Sequence, residues 1–314
     1  MNQRPPLVSI GMPTFNGELY IARALDSLLA QDYPNLELII SDNGSTDGTE
    51  AIARDYAGRF DRVRYVRQQI NLGAYANFNF VLGEATGEYF MWAADHDLHD
   101  PTFVSKCVAA LEADPAAVLA YPQSYLIDEN GSVIEEMDDQ IDLGQPSALY
   151  RYKHLIWRLI ICNMIYGVSR REAMAATGGF PDIISPDHGC LARMVLQGTV
   201  LRVGGHLFLR RRNRPPETPD EHRRRALVDL EPSKAGARAS MPPARLFRDL
   251  RAHHLEGISR SSLTFREKLD ARMATLACFH LRFHVASNLV RVCKLIGIVT
   301  GQTKRFDRWW GRAD

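Results

Sequence analysis

The feature that most constrains this chain is an alternation over its first hundred residues, where short β-like apolar runs take turns with segments of helical periodicity. Leu7 to Met12 reads as a buried strand ended by Pro13, followed by strands at Leu36 to Ser41, Val63 to Val66 and Tyr89 to Ala94. Between them, Glu18 to Gln31 sets Ile21, Leu25, Leu28 and Leu29 on one side of a helix. Thr46 to Ala57 is a second helix that Ser45 or Thr46 can cap, and Ala74 to Leu82 is a third. Pro101 opens a fourth helix near its first turn, where a missing N–H costs nothing. Strands alternating with helices mean crossover units, hence an α/β fold with a doubly wound, mixed but mainly parallel sheet. Ligands of such sheets bind beyond the carboxyl ends of the strands. The loops after Met12, Ser41, Val66 and Ala94 are therefore the ones expected to carry chemistry.

Beyond Asp114 the pattern loosens. Val118 to Ile127 and Met164 to Ser169 look like strands, and Asp187 to Gln197 like a helix. Six prolines fall between residues 213 and 246, so 216–246 reads as a linker or extended loop, leaving 247–314 as a basic, amphipathic helical extension. Charge divides the same way: 14 Lys/Arg against 26 Asp/Glu up to residue 201, then 24 against 11. A basic tail either docks on its own acidic body or meets phosphate as nucleotide, nucleic acid or anionic lipid. The five cysteines are scattered with no CxxC pair, which excludes the familiar zinc spacings and fits reduced thiols in a cytoplasm. No secretory leader opens the sequence, and no run of about 18 apolar residues would span a membrane.

The loop after the first strand, Gly11-Met12-Pro13-Thr14-Phe15-Asn16-Gly17, is neither of the usual glycine-rich phosphate cradles. Ser41 to Thr49 is rich in short polar side chains: it can be an Asx-type turn leading into a helix, or it can present the Asp42 carboxylate to the N–H of a bound base. Asp95-His96-Asp97 follows a plausible buried strand, and positions i and i+2 of an extended chain share a face. Two such carboxylates beside a diphosphate suit Mg²⁺ or Mn²⁺. His96, His99 and Asp100 offer a weaker alternative, a His/Asp zinc or iron site.

In this order the motifs resemble the family 2 glycosyltransferases, inverting enzymes with a GT-A fold. The residues that carry the likeness are Pro13-Thr14-Phe15-Asn16, Asp42-Asn43-Gly44-Ser45-Thr46-Asp47, Asn71-Leu72-Gly73 with Asn77, Gly87-Glu88-Tyr89 before Asp95-His96-Asp97, and Gly178-Gly179-Phe180 before Asp187-His188. The likeness covers about residues 7–215. It implies a donor-binding half over 1–100 and an acceptor-binding half over 101–215. Pro13, Thr14, Asn16, Asn71, Gly73 and Asn77 would line the nucleotide sugar, and Asp42 would accept a uracil or thymine N3–H. Asp95 would lie near the ribose and diphosphate and share the metal with Asp97, while Arg211 and Arg212 would clamp phosphate and Asp187 would be the catalytic base. Two positions depart from the pattern: Asn43 stands where a second Asp is frequent, and Asn213 where a His is.

The expected partners are a UDP- or dTDP-linked sugar, a glycan or lipid-linked acceptor of cell-envelope or polysaccharide synthesis, and no nucleic acid. A non-catalytic nucleotide-sugar binder or scaffold, and a nucleotidyltransferase on the same fold, are the competing readings; residues 11–18 hold no Lys or Arg for the latter. Asp187 also fits a plain helix start, with Ser185 as cap, Pro186 in the first position and an acid favoured by the macrodipole, a setting that would hold its pKa low. In the extension, Cys278, Leu281, Val285, Leu289, Val292, Ile296 and Val299 form one stripe, with Trp309, Trp310 and basic residues beyond. That stripe would bind the inner face of a membrane, or else pack on the catalytic domain or on a second subunit of a homodimer.

Overall fold

Alternating inward and outward side chains divide the core into two layers, one on each face of a single sheet. Ile10, Met12, Leu38, Ile40, Tyr89 and Met91 pack on one side, Ile39, Phe90 and Trp92 on the other. A computed structural model describes residues 4–138, 141–159, 161–212 and 243–281. Its strands are β1 (Val8–Thr14), β2 (Leu36–Asp42), β3 (Val63–Arg67), β4 (Tyr89–Trp92), β5 (Leu98–His99), β6 (Ala117–Ile127), β7 (Val133–Met137), β8 (Val168–Arg170) and β9 (Thr199–Arg211). Its helices are α1 (Ile21–Leu29), α2 (Thr49–Arg59), α3 (Ala74–Gly83), α4 (Phe103–Ala113), α5 (Ala148–Arg158), α6 (Arg171–Ala176), α7 (Pro186–Gln197), α8 (Pro243–Arg260) and α9 (Phe265–Phe279).

The strand order is β3-β2-β1-β4-β8-β6-β9-β5, with β7 paired to β6. The first four strands in that order are parallel, as the crossover helices require; β8 enters antiparallel between β4 and β6, and β6 and β9 are parallel again. This is the doubly wound, mainly parallel sheet read from the sequence. Gly11 is needed where α3 crosses it, since a Cβ there would lie 2.7 Å from Val81.

Four local expectations are corrected. Pro13 does not end β1, which runs on beside β2 to Thr14 opposite Asp42; β4 stops beside Gly11, so the missing N–H of Pro13 has no ladder to break. Neither Ser45 nor Thr46 caps α2; the Asp47 carboxylate takes the Thr49 N–H at 3.0 Å and its hydroxyl at 2.5 Å. Residues Asn163–Tyr166 form a 3-10 turn rather than the start of a strand, and β8 begins only after Gly167, where any side chain would strike the Ala120 carbonyl. Helix α8 starts at Pro243, inside the expected linker, because proline is tolerated in a first helical turn. The rest of that linker, and residues 282–314 of the extension, lie outside the described residues.

The described part of the extension docks on the body. Leu250, His254 and Ile258 recur at helical spacing and are buried, as are Ala271, Thr275 and Cys278. Thr264 and Glu267 form a reciprocal capping box that starts α9. Cys278, first of the stripe read from the sequence, donates its thiol to the Ile156 carbonyl at 3.1 Å, so the stripe opens as a packing surface. No helix among the described residues is long and apolar enough to cross a membrane.

Candidate functional site

Parallel register brings the strand ends together. Asp42 closes β2 and pairs in register with Thr14 on one side and Arg67 on the other. Its carboxylate is fully buried and accepts three hydrogen bonds, from the Ser45 N–H (2.8 Å), the Tyr65 hydroxyl (2.9 Å) and Arg67 Nη1 (2.9 Å). Burial and this contact with Asp42 push the Tyr65 phenol up to about 12. Asp42 therefore does not present a bare carboxylate to the cleft. Its cross-strand partner Arg67 already holds one oxygen.

The side chains around it tie loop to loop. Asn43 donates to the Asn71 side chain (2.8 Å) and the Gly73 carbonyl (3.1 Å), and takes the Leu72 N–H (2.9 Å). Asn77 is buried and brackets Ser41, accepting its hydroxyl and donating to its carbonyl at 2.8 Å. Gly73 sits at φ 91°, a conformation that favours glycine. Asn16, at φ 53°, accepts the Thr46 N–H at 2.9 Å, and its own N–H goes to Ser45 Oγ. An amide at position 43 thus performs a hinge-pinning task that a carboxylate could not complete, having no N–H to give.

The turn after β4 carries the acidic pair. Asp95 accepts the Thr14 hydroxyl at 2.5 Å and lies against Gly17, where a Cβ would fall 2.5 Å from its oxygen. Asp97 is buried and accepts the Arg211 N–H at 2.7 Å. The His96 imidazole stands between them, 2.8 Å from Asp95 Oδ1 and 3.8 Å from Asp97 Oδ1. Burial raises the pKa of Asp97 against the opposing pull of His96 and the Arg211 N–H. Burial works against a charge on His96, but Asp97 and Asp95 outweigh it and raise its pKa. His99 is packed between the rings of Phe103 and Phe208, which removes the zinc or iron alternative.

Asp187 reaches the same cleft from the first turn of α7. The helix starts as read from the sequence, with Ser185 at the N-cap, Pro186 in the first turn and Asp187 as its acid, but Ser185 makes no side-chain cap and adopts a left-handed conformation at φ 52°; Asp187 itself accepts the His188 N–H at 2.8 Å. Its pKa is raised rather than lowered, because burial outweighs the His188 N–H, the Cys162 thiol and the Arg210 charge. The half-buried Tyr166 lies near these groups: burial of its phenol raises its pKa, and the charges of Asp97, Arg210, Asp187 and Asp95 all act on it.

Arg210 is a candidate site residue that the sequence reading did not single out. It donates to Asn163 at 3.1 Å and its charge acts on His96, Asp97 and Asp187. The neighbouring Arg211 points the other way, buried against the Tyr20 ring, and spends its guanidinium on the carbonyls of His96, Asp128 and Glu129. Through Nε and Nη1 it fastens the turn, and Arg212 is exposed. The Gly178-Gly179-Phe180 turn is structural as well. Both glycines are left-handed, the Asn79 amide pairs with the Phe180 backbone at 2.8 Å in each direction, and the Phe180 ring stacks on Trp92 and Phe78.

No group of three or more potential metal ligands occurs among the described residues. Asp95 and Asp97 are nevertheless a hard-oxygen donor pair of the kind that Mg²⁺ or Mn²⁺ uses when substrate phosphates complete its shell, so the residues fit such an ion.

Comparison with known proteins bears on the family and the fold. The profile described as "Glycosyl transferase family 2" matches residues 9–166, half of the chain. An uncharacterized glycosyltransferase of Rickettsia felis is 37% identical over 130 residues, 40% of this chain and 21% of that protein. The putative glycosyltransferase EpsE of Bacillus subtilis is 40% identical over 108 residues, 34% of this chain and 39% of that one. The match thus spans between a fifth and two fifths of these relatives' length. Among solved structures, Staphylococcus aureus TarS in complex with UDP-GlcNAc superimposes with a TM-score of 0.66 at 16% identity, covering 96% of this chain and 78% of that one. The mannosyltransferase PcManGT of Pyrobaculum calidifontis, in complex with GDP-Man and Mn²⁺, gives 0.55 at 20% identity, covering 99% and 85%. The chain belongs to glycosyl transferase family 2 and has the GT-A fold.

Proposed function

We propose that the chain is an inverting glycosyltransferase that moves a sugar from a UDP- or dTDP-linked donor to a hydroxyl of a glycan or lipid-linked acceptor. The observation that carries this reading is the turn after β4, where Asp95 accepts the Thr14 hydroxyl, Asp97 accepts the Arg211 N–H at the end of β9, and the neighbouring Arg210 is held by Asn163. Residues 1–100 form the donor half, with Pro13 and Thr14 as a wall beneath the base and Asn16, Asn71, Gly73 and Asn77 shaping the loops around it. Asp42 receives the base N3–H, for which Arg67 yields the oxygen it holds at 2.9 Å. Residues 101–215 form the acceptor half.

Asp187 takes the proton of the acceptor hydroxyl. The oxygen attacks the anomeric carbon from the face opposite the diphosphate, the bond to the diphosphate oxygen breaks, and the configuration inverts. Burial brings the Asp187 pKa towards the working pH, which suits a general base. The Arg210 guanidinium offsets charge on the departing diphosphate. Asp95 and Asp97 would hold Mg²⁺ or Mn²⁺, which would supply further charge neutralisation there. The setting of this reading is cell-envelope or polysaccharide synthesis on the cytoplasmic side, at the inner face of the membrane.

Thermal shifts with UDP-GlcNAc, dTDP-glucose and GDP-mannose, each with and without Mn²⁺, test the donor. Stabilisation follows affinity for the folded state, so a uridine or thymidine donor with Mn²⁺ gives the largest shift. A larger shift with GDP-mannose overturns the role given to Asp42, and no shift with any donor overturns the reading.

A further inference from the structure

Helix α9 is apolar on two sides. Its inner face packs Ala271, Thr275 and Cys278 into the core. Phe265, Leu269, Met273 and Leu276, spaced by four, four and three, share the opposite side, and Phe265 is 82% and Met273 59% exposed. A soluble helix ordinarily turns its polar side outward. Here the larger apolar side chains face away from the protein, between Arg266 and Arg272, both exposed.

The neighbouring helix continues the surface. Helix α5 buries Arg151, Tyr152, Leu155 and Ile156 and leaves Tyr150 and Trp157 exposed, with Arg158 beside them. The two helices are joined by the Tyr152–Thr275 hydrogen bond at 2.7 Å and, nearer solvent, by the Lys153–Asp270 ion pair at 3.1 Å. Together they present Tyr, Trp, Phe, Leu and Met interleaved with Lys and Arg. None of these apolar side chains stacks on or bonds to another described element.

We propose that the outer faces of α5 and α9 are a docking surface for an anionic lipid bilayer. Aromatic and aliphatic residues flanked by Arg158, Arg266 and Arg272 are what an interfacial helix uses to lie among anionic headgroups. Charge complementarity points the same way: the 33 residues that follow, 282–314, hold seven Lys/Arg and two Asp/Glu and include Trp309-Trp310. The surface is not the stripe that begins at Cys278, whose thiol is bonded to the core. Its place in the fold also serves the reaction, because α5 is tied to the acceptor-side helix α7 through Arg151 Nε and the Val195 carbonyl at 2.9 Å. Docking stands without the transferase reading, since it needs only the surface.

Flotation of the full chain with vesicles of phosphatidylcholine alone and of an equimolar mixture with phosphatidylglycerol tests this. The protein floats with the mixed vesicles at low salt, stays down with phosphatidylcholine, and is released as salt rises. The triple variant Phe265→Ser, Leu269→Ser, Met273→Ser keeps the wild-type melting temperature, because those side chains are exposed, and binds at least roughly tenfold more weakly. Failure of the wild type to float at low salt overturns the proposal, as does equal flotation of the variant. A variant that melts well below the wild type, or that dissociates a wild-type dimer, reassigns the face to the chain itself or to a second copy.

Discussion

Replacing Asp187 by asparagine separates a helix-starting acid from a catalytic base, because the two roles predict opposite effects on stability. If Asp187 served as a cap, losing its charge would cost the interaction with the α7 dipole, about 0.3–1 kcal/mol. In the structure burial already outweighs that interaction, since the pKa of Asp187 is raised even though it accepts the His188 N–H. The ionised form therefore costs stability in the fold. The sign follows from linkage: a carboxyl with a raised folded pKa takes its proton in the folded state first, so the cost is present above the folded pKa and disappears as pH falls through it. Asparagine keeps an oxygen for the His188 N–H and for the Cys162 thiol and removes the charge. At neutral pH Asp187→Asn melts at or above the wild-type temperature, while transfer falls roughly 10²–10⁴-fold, the usual worth of a positioned base. The donor-induced thermal shift is unchanged. Melting curves across pH, run beside product formation on the best-stabilising donor with a panel of saccharide acceptors, give both readouts. A variant that melts several degrees lower and turns over at the wild-type rate would refute the argument, and Asp182 in the same loop would be tested next.

Other outcomes follow from particular contacts. Arg210→Met lowers transfer by roughly 10²-fold or more, on the scale of removing one preorganised charge stabiliser, whereas Arg212→Met leaves it unchanged; steady-state rates with equal protein decide between them. Gly179→Ala forces a side chain onto Asn79 Oδ1 at a φ of 69° and disturbs two hydrogen bonds to Phe180. At about 1–2 kcal/mol for the left-handed backbone and about 1 kcal/mol per bond, urea unfolding shows a loss of about 3 kcal/mol, and a loss under 1 kcal/mol contradicts the assignment. Burial lowers the pKa of His254 well below its usual value and that of His253 to about 4. Both are therefore neutral in the fold and charge only on unfolding, so stability present above about pH 6.5 is lost as pH falls towards 4. The slope approaches about 1.4 kcal/mol per pH unit for His254 and less for the partly exposed His253; a wild-type melting temperature flat from pH 7 to 5 contradicts this.

What the sequence disclosed and what it hid have separate physical causes. Strands β1, β2 and β4 are buried on both faces, so their apolar runs stand out, and parallel pairing makes their ends converge without further information. That convergence made Asp42, Asp95 and Asp97 legible as one neighbourhood. The second half of the sheet lacks such signals: β7 leaves Val133 and Ile134 exposed, β5 has two residues, and β9 breaks its alternation at Gly204-Gly205. The β6–β9 register shifts on both sides of Gln123. Without the phase of β9, three consecutive arginines cannot be sorted, and Arg211 and Arg212 were as credible as Arg210. Partner identity was hidden for a different reason. Asp42 and Arg67 lie 25 residues apart, and only the β2–β3 register makes them cross-strand neighbours. Burial was hidden in the same way, which is why Asp187 reads from its local sequence as an acid stabilised by a helix end. The part of this site at the ends of β1, β2 and β4 is thus local chemistry that the sequence displays, while the part around Asp187 is assembled by long-range packing of β9, α7 and the 162–166 turn. The family profile, ending at residue 166, stops where that assembly begins.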